Sequence, residues 1–113
     1  MDVTTMSVVR ENSALMAAGD TAGLVKRYAP DAEIVHAGGV ARGRAQIRSL
    51  FTEQSRRSPE IVAAEEVGRT EDTVAYRARM RLDDTVVDVV GTIVLRAGLI
   101  WRQTTVVVNE TTG

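Results

Sequence analysis

The chain has 113 residues, 44% of them hydrophobic, with a formal net charge of −1 at pH 7 and no cysteine. The length is that of one domain spanning 1–113, and the apolar share supports a core, although a chain this small leaves much surface exposed. Without cysteine there are no disulfides, thiolate metal sites or thiol catalysis, and a single histidine excludes a multi-histidine metal site within one chain.

The charge balance gives no electrostatic reason to expect nucleic acid or an anionic membrane as partner. Met1 to Met6 carry neither a basic stretch nor a long apolar run, and no segment approaches the length of a membrane span. A cytoplasmic protein is the expectation.

The first half reads as helices. The first is predicted over about Ser7 to Ala18, with Val8, Val9, Leu15 and Met16 on its apolar face and Gly19 ending it. Asp20 is placed to cap a second helix, Thr21 to Ala29, with Leu24, Val25 and Tyr28 inward and Pro30 as its stop. Ala32 to Ala37 reads as a short strand and Gly38-Gly39 as a loop. A third helix is predicted over about Gly43 to Arg56, with Ile47, Leu50, Phe51 and Gln54 on one stripe.

Four strand-like runs follow: Glu60–Arg69, Thr73–Leu82, Val86–Arg96 and Leu99–Asn109. The links between them are too short for anything but antiparallel neighbours, so the second half is a meander. Its second strand alternates clearly. Tyr76, Ala78, Met80 and Leu82 point one way, and Arg77, Arg79 and Arg81 the other. The last two strands are apolar on both faces, which requires cover on both. The helices supply one cover, and a second copy of the chain is the simplest supply of the other, so a homodimer through the convex sheet face is expected. Asp88 falls on the convex side by period two and is expected to pair with an arginine of the neighbouring strand or at the dimer interface.

Three motifs in order carry a resemblance: Gly19-Asp20, then Tyr28-Ala29-Pro30-Asp31-Ala32, then Gly43-Arg44-Ala45-Gln46-Ile47-Arg48. The chain resembles the nuclear transport factor 2-like superfamily, in its SnoaL-like and ketosteroid-isomerase-like branch. The resemblance implies an α+β fold: a cone-shaped, curved, mostly antiparallel sheet packed against three N-terminal helices. A pocket would lie between the concave sheet face and the helices. In ketosteroid isomerases a general-base aspartate ends the first strand, and the matching position here is His36. The tyrosine and protonated aspartate of their oxyanion hole correspond to Asn12 and Gly91. The reaction is left open, because this fold carries many activities.

His36 also has a case from the residues alone. It shares a strand face with Ile34 and leads into the small-residue stretch Ala37-Gly38-Gly39. Imidazole exchanges protons near neutral pH. Asn12 falls on the apolar face of the first helix, where a buried amide must find partners. His36, Asn12 and Tyr76 are therefore the candidate catalytic residues. Ile34, Ala78, Met80, Gly91, Trp101 and Gln103 are the candidate substrate-binding residues. No cofactor and no metal are expected. The expected activity is proton-transfer chemistry, as in an isomerase, cyclase or dehydratase, on an apolar carbonyl-bearing or polycyclic substrate. A non-catalytic hydrophobic-ligand-binding or dimeric interaction module is the alternative.

Overall fold

The computed structural model describes residues 3–112, with side chains from residue 8 onward; Met1 and Asp2, part of the N-terminal stretch read above, and Gly113 lie outside the described residues. Three helices, α1 (Val3–Ala17), α2 (Thr21–Lys26) and α3 (Gly43–Ser55), pack on one six-stranded sheet. The strands are β1 (Tyr28–His36), β2 (Gly39–Arg42), β3 (Glu60–Arg69), β4 (Thr73–Leu82), β5 (Thr85–Arg96) and β6 (Leu99–Thr112). Their order across the sheet is β2-β1-β6-β5-β4-β3. The architecture is α+β, and the four-strand meander is antiparallel throughout.

The turn from α1 into α2 is built from the Gly-Asp pair. Gly19 takes a φ of 71°, its N–H bonds the Met16 carbonyl, and the Asp20 N–H bonds the Leu15 carbonyl. This two-bond closure satisfies carbonyls that a helix end otherwise leaves orphaned, and it needs a residue free to turn left-handed. The Asp20 carboxylate then accepts from the Gly23 N–H at 2.9 Å, capping α2.

Three features differ from the sequence reading. Helix α2 stops at Lys26, and Tyr28 opens β1 by pairing in parallel with Ile100 of β6. Pro30 therefore lies inside a strand. It has no N–H to give a ladder, and the β1–β6 register shifts between Tyr28 and Glu33, where it sits. Gly39, read as part of a loop, instead opens a four-residue strand, β2, which folds back on β1 with Val35 opposite Val40. Helix α1 also begins earlier than predicted, at Val3, and runs through Thr4 and Thr5, β-branched residues of modest helix propensity.

The core lies between the helices and the concave sheet face. Tyr28, Ile34, Ile47, Val74 and Ile100 are its most completely buried side chains. On the convex face Arg79 bonds Asp88 at 2.7 Å, Arg77 bonds Glu65 and Arg81 faces Glu60 at 3.5 Å. The Asp88 carboxyl is held below the usual carboxylate range by its bond from Arg79, then by Asn109. Val90, Val106 and Val108 are exposed. Among the described residues, no helix is long and apolar enough to cross a membrane.

Candidate functional site

A cavity of about 400 Å³ opens between α1, α3 and the concave face. The α1 stripe Val9, Asn12, Ser13 and Met16 forms one wall, at the spacing that puts residues on one helix face. Leu50 and Phe51 of α3 form another. Tyr76, Ala78 and Met80 of β4, with Ile93 of β5 and Gln103 of β6, form the sheet side. Exposed Glu53, Arg57 and Glu110 lie along its open border. His36 and Ala37, at the end of β1, also line it.

Inside this wall a chain of hydrogen bonds crosses from helix to sheet. Asn12 Nδ2 donates to the Tyr28 hydroxyl at 3.4 Å, a long contact. The Tyr28 hydroxyl donates to Gln103 Oε1 at 2.5 Å. Gln103 Nε2 donates to the Tyr76 hydroxyl at 3.1 Å, and that hydroxyl donates to the Thr104 carbonyl at 3.2 Å. Burial first, then the neighbouring Tyr76, push the Tyr28 phenol well above its ordinary range, and burial also raises Tyr76. Both rings therefore stay neutral, and each phenolic proton already has an acceptor.

The last bond depends on Gly91. Tyr76 stands opposite Gly91 in the β4–β5 ladder. A Cβ at Gly91 would lie 2.0 Å from the Thr104 carbonyl oxygen and 2.7 Å from the Tyr76 hydroxyl. The Thr92 N–H meanwhile donates to the Thr104 hydroxyl at 3.0 Å, which leaves the Thr104 carbonyl for the tyrosine.

His36 is half-buried, and its Nδ1 accepts from the Gly38 N–H at 3.2 Å. Counting protons, a neutral ring in this arrangement carries its hydrogen on Nε2. Its described hydrogen bond goes to its own loop, not to Asn12 or Tyr76.

The structure thus brings His36, Asn12, Tyr76, Ile34, Ala78, Met80 and Gln103 around one cavity. Two expected substrate-binding residues are elsewhere. Gly91 does not line the cavity, because the Tyr76 hydroxyl occupies the space over it. Trp101 leaves the concave face because the register slips there. Val94 faces Arg102 while Leu95 faces Ile100, so Trp101 has no opposite and the side-chain parity is lost. The guanidinium carbons of Arg96 and Arg102 lie over its ring, 4.5 and 3.9 Å from the centroid. Tyr76, a candidate catalytic residue, does line the cavity, but its hydroxyl proton is directed at the Thr104 carbonyl.

Tyr28 is the member of this network that the sequence reading did not single out. It was read as an inward residue of the second helix. The signal available was chemical: a tyrosine placed in a core needs a partner for its hydroxyl.

A family model described as SnoaL-like domain matches residues 9–103. No curated protein matches at a significant level. Among solved structures, the epoxide hydrolase/cyclase-like enzyme SalBIII, described for pyran ring formation in the polyether salinomycin, superposes with a TM-score of 0.87 at 17% identity, covering 97% of this chain and 95% of that one. An NTF2-like protein of unknown function from Cytophaga hutchinsonii gives 0.79 at 13% identity, with 95% and 92% covered. A de novo designed protein with a curved β-sheet gives 0.78 at 15%, with 95% and 87% covered. At these identities the likeness is one of fold, and a fold alone specifies no reaction.

Proposed function

The chain belongs to the SnoaL-like domain family, and from that premise we propose that it is a small-molecule enzyme using cofactor-free proton transfer on a largely apolar substrate. The observation that carries this reading is the open cavity of about 400 Å³ with mostly apolar walls, bordered by the chain's single imidazole. A concave apolar site with a few convergent polar groups is what small-molecule recognition requires. The likeness of the fold to SalBIII, an epoxide hydrolase/cyclase-like enzyme, adds support.

His36 is the proposed proton carrier. With Nδ1 occupied by the Gly38 N–H, the neutral ring offers a hydrogen bond from Nε2–H, and only the imidazolium gives a proton. It acts as a base only after that backbone bond is released. Isomerisation, aldol-type cyclisation and dehydration are the reaction classes such a carrier serves. Asn12 and Gln103 hold the substrate's polar end, while Tyr28 and Tyr76 keep those amides in place. Ile34, Ala78 and Met80 form apolar walls.

The test is turnover of a panel of two-ring β,γ-unsaturated ketones, hydroxy-epoxides and β-hydroxy ketones by wild type and His36→Ala. Removing a general acid–base group lowers the rate roughly 10²–10⁴-fold. Equal turnover by the variant contradicts the assignment.

A second reading is favoured by the convex face, where Val106 and Val108 are 54% and 59% exposed. In that reading the sheet pairs with a second copy and the cavity binds without chemistry. A monomer by small-angle scattering at high concentration contradicts the pairing.

A further inference from the structure

We infer that Asn12 Oδ1 is an acceptor subsite for a hydroxyl or N–H group of the bound molecule; this deepens the pocket reading above and rests on it. Asn12 is 8% exposed and lines the cavity wall from α1. Its carbonyl oxygen is buried and has no hydrogen-bond partner among the described residues, and a turn of the amide, which the long contact to Tyr28 opposes weakly, brings it to the cavity the residue lines.

The proton count along the network fixes which end of the amide this is. The Thr104 carbonyl has no proton to offer, so the Tyr76 hydroxyl donates to it. Tyr76 oxygen must then accept, and Gln103 meets it with Nε2. Gln103 therefore turns Oε1 toward Tyr28, whose single proton goes there. Tyr28 oxygen must accept in turn, so Asn12 faces it with Nδ2. The carbonyl is what remains. Reversing the chain would place the oxygen of Tyr76, its proton turned away, against the lone pairs of the Thr104 carbonyl.

The conclusion reverses the polarity expected for this position. The resemblance aligns Asn12 with an oxyanion-hole tyrosine, which is a hydrogen-bond donor. The network instead presents a carbonyl that lacks a donor, in a place where an unpaired acceptor is costly. A ligand hydroxyl or amide N–H relieves it, whereas a ligand ketone or ether oxygen set there meets like polarity. The ligand class is thus an apolar ring system bearing a donor group. His36 Nε2–H offers the opposite polarity to any acceptor the same molecule carries.

The experiment is calorimetric titration of wild type and Asn12→Leu with 2-naphthol and with 2-methoxynaphthalene, ring systems alike except for the donor hydrogen. Wild type should bind 2-naphthol roughly five- to tenfold more tightly than the ether. Asn12→Leu should abolish that preference, and its Tm is read alongside to show that the variant folds, since the substitution removes the unpartnered acceptor together with the long bond to Tyr28. Equal wild-type affinities for the two probes overturn the inference, as does a preference that survives in Asn12→Leu. If the variant does not fold, the wild-type pair decides alone. Failure of both probes to bind wild type overturns the pocket reading itself, whereas binding without preference overturns only the Asn12 assignment.

Discussion

The two faces of one sheet solve the problem of polar groups in opposite ways. On the concave face, Tyr28, Gln103 and Tyr76 are neutral and joined in series, each proton placed by the next acceptor. On the convex face, Arg77, Arg79 and Arg81 pair separately with Glu65, Asp88 and Glu60, and most of these groups are well exposed. A buried series is cooperative: removing a member strands its neighbours without water to replace it. An exposed ion pair is screened, and its partners are solvated when it breaks. Change on the concave face should therefore be expensive and change on the convex face cheap.

The sharpest test of this contrast is Gly91→Ala. The added methyl meets the Thr104 carbonyl at 2.0 Å and the Tyr76 hydroxyl at 2.7 Å, so strand backbone must move and the tyrosine must leave its acceptor. Chemical denaturation should show a loss of about 3 kcal/mol or more. A loss under about 1 kcal/mol would mean that Tyr76 does not depend on this contact.

Tyr28→Phe comes next. It takes the donor from Gln103 Oε1 and the acceptor from Asn12 Nδ2 without changing ring packing, and should cost about 1–3 kcal/mol.

The same residue sets an alkaline limit. Its folded-state phenol is raised, so the stability it contributes is complete below the ordinary tyrosine pKa and is lost as pH rises above it. Above about pH 10 the unfolded chain releases a proton that the native state keeps, and stability falls by up to about 1.4 kcal/mol per pH unit for that group. Urea midpoints between pH 9 and 11 should show this slope, reduced in Tyr28→Phe. An unchanged slope in the variant would contradict the burial of the phenol.

Arg79→Ala is the smallest effect. With Asp88 left facing solvent and Asn109, it should leave the urea midpoint close to that of wild type. A clearly lower midpoint would show that the convex face is covered.

Much of this arrangement was legible in the sequence, for reasons that particular residues make clear. The run Tyr76 to Leu82 alternates strictly, so its faces follow from period two, and Asp88 falls opposite Arg79 by the same rule. Asn12 was found because a polar residue stood in an apolar helical stripe. What was not legible is what periodicity does not encode. A single unpaired residue on β6 turned Trp101 off the concave face, and slips of this kind leave no mark in the side-chain pattern. Strand β2 has four residues beside two glycines, too short to alternate. Tyr28 begins β1 directly after a six-residue helix, and its parallel pairing with Ile100 joins positions far apart in the chain. The direction of the hydrogen bonds, and so the free valence at Asn12, is a property of the assembled network that no local sequence pattern shows.

The central claim is that the concave cavity is where this protein meets its small molecule. The most direct measurement is a two-dimensional NMR titration with 2-naphthol, following the Asn12 side-chain amide and the His36 ring alongside the methyls of Val106 and Val108. Saturable shifts at Asn12 and His36 with the two valines unmoved are predicted; shifts confined to the valines, or none at Asn12 and His36, would contradict the account.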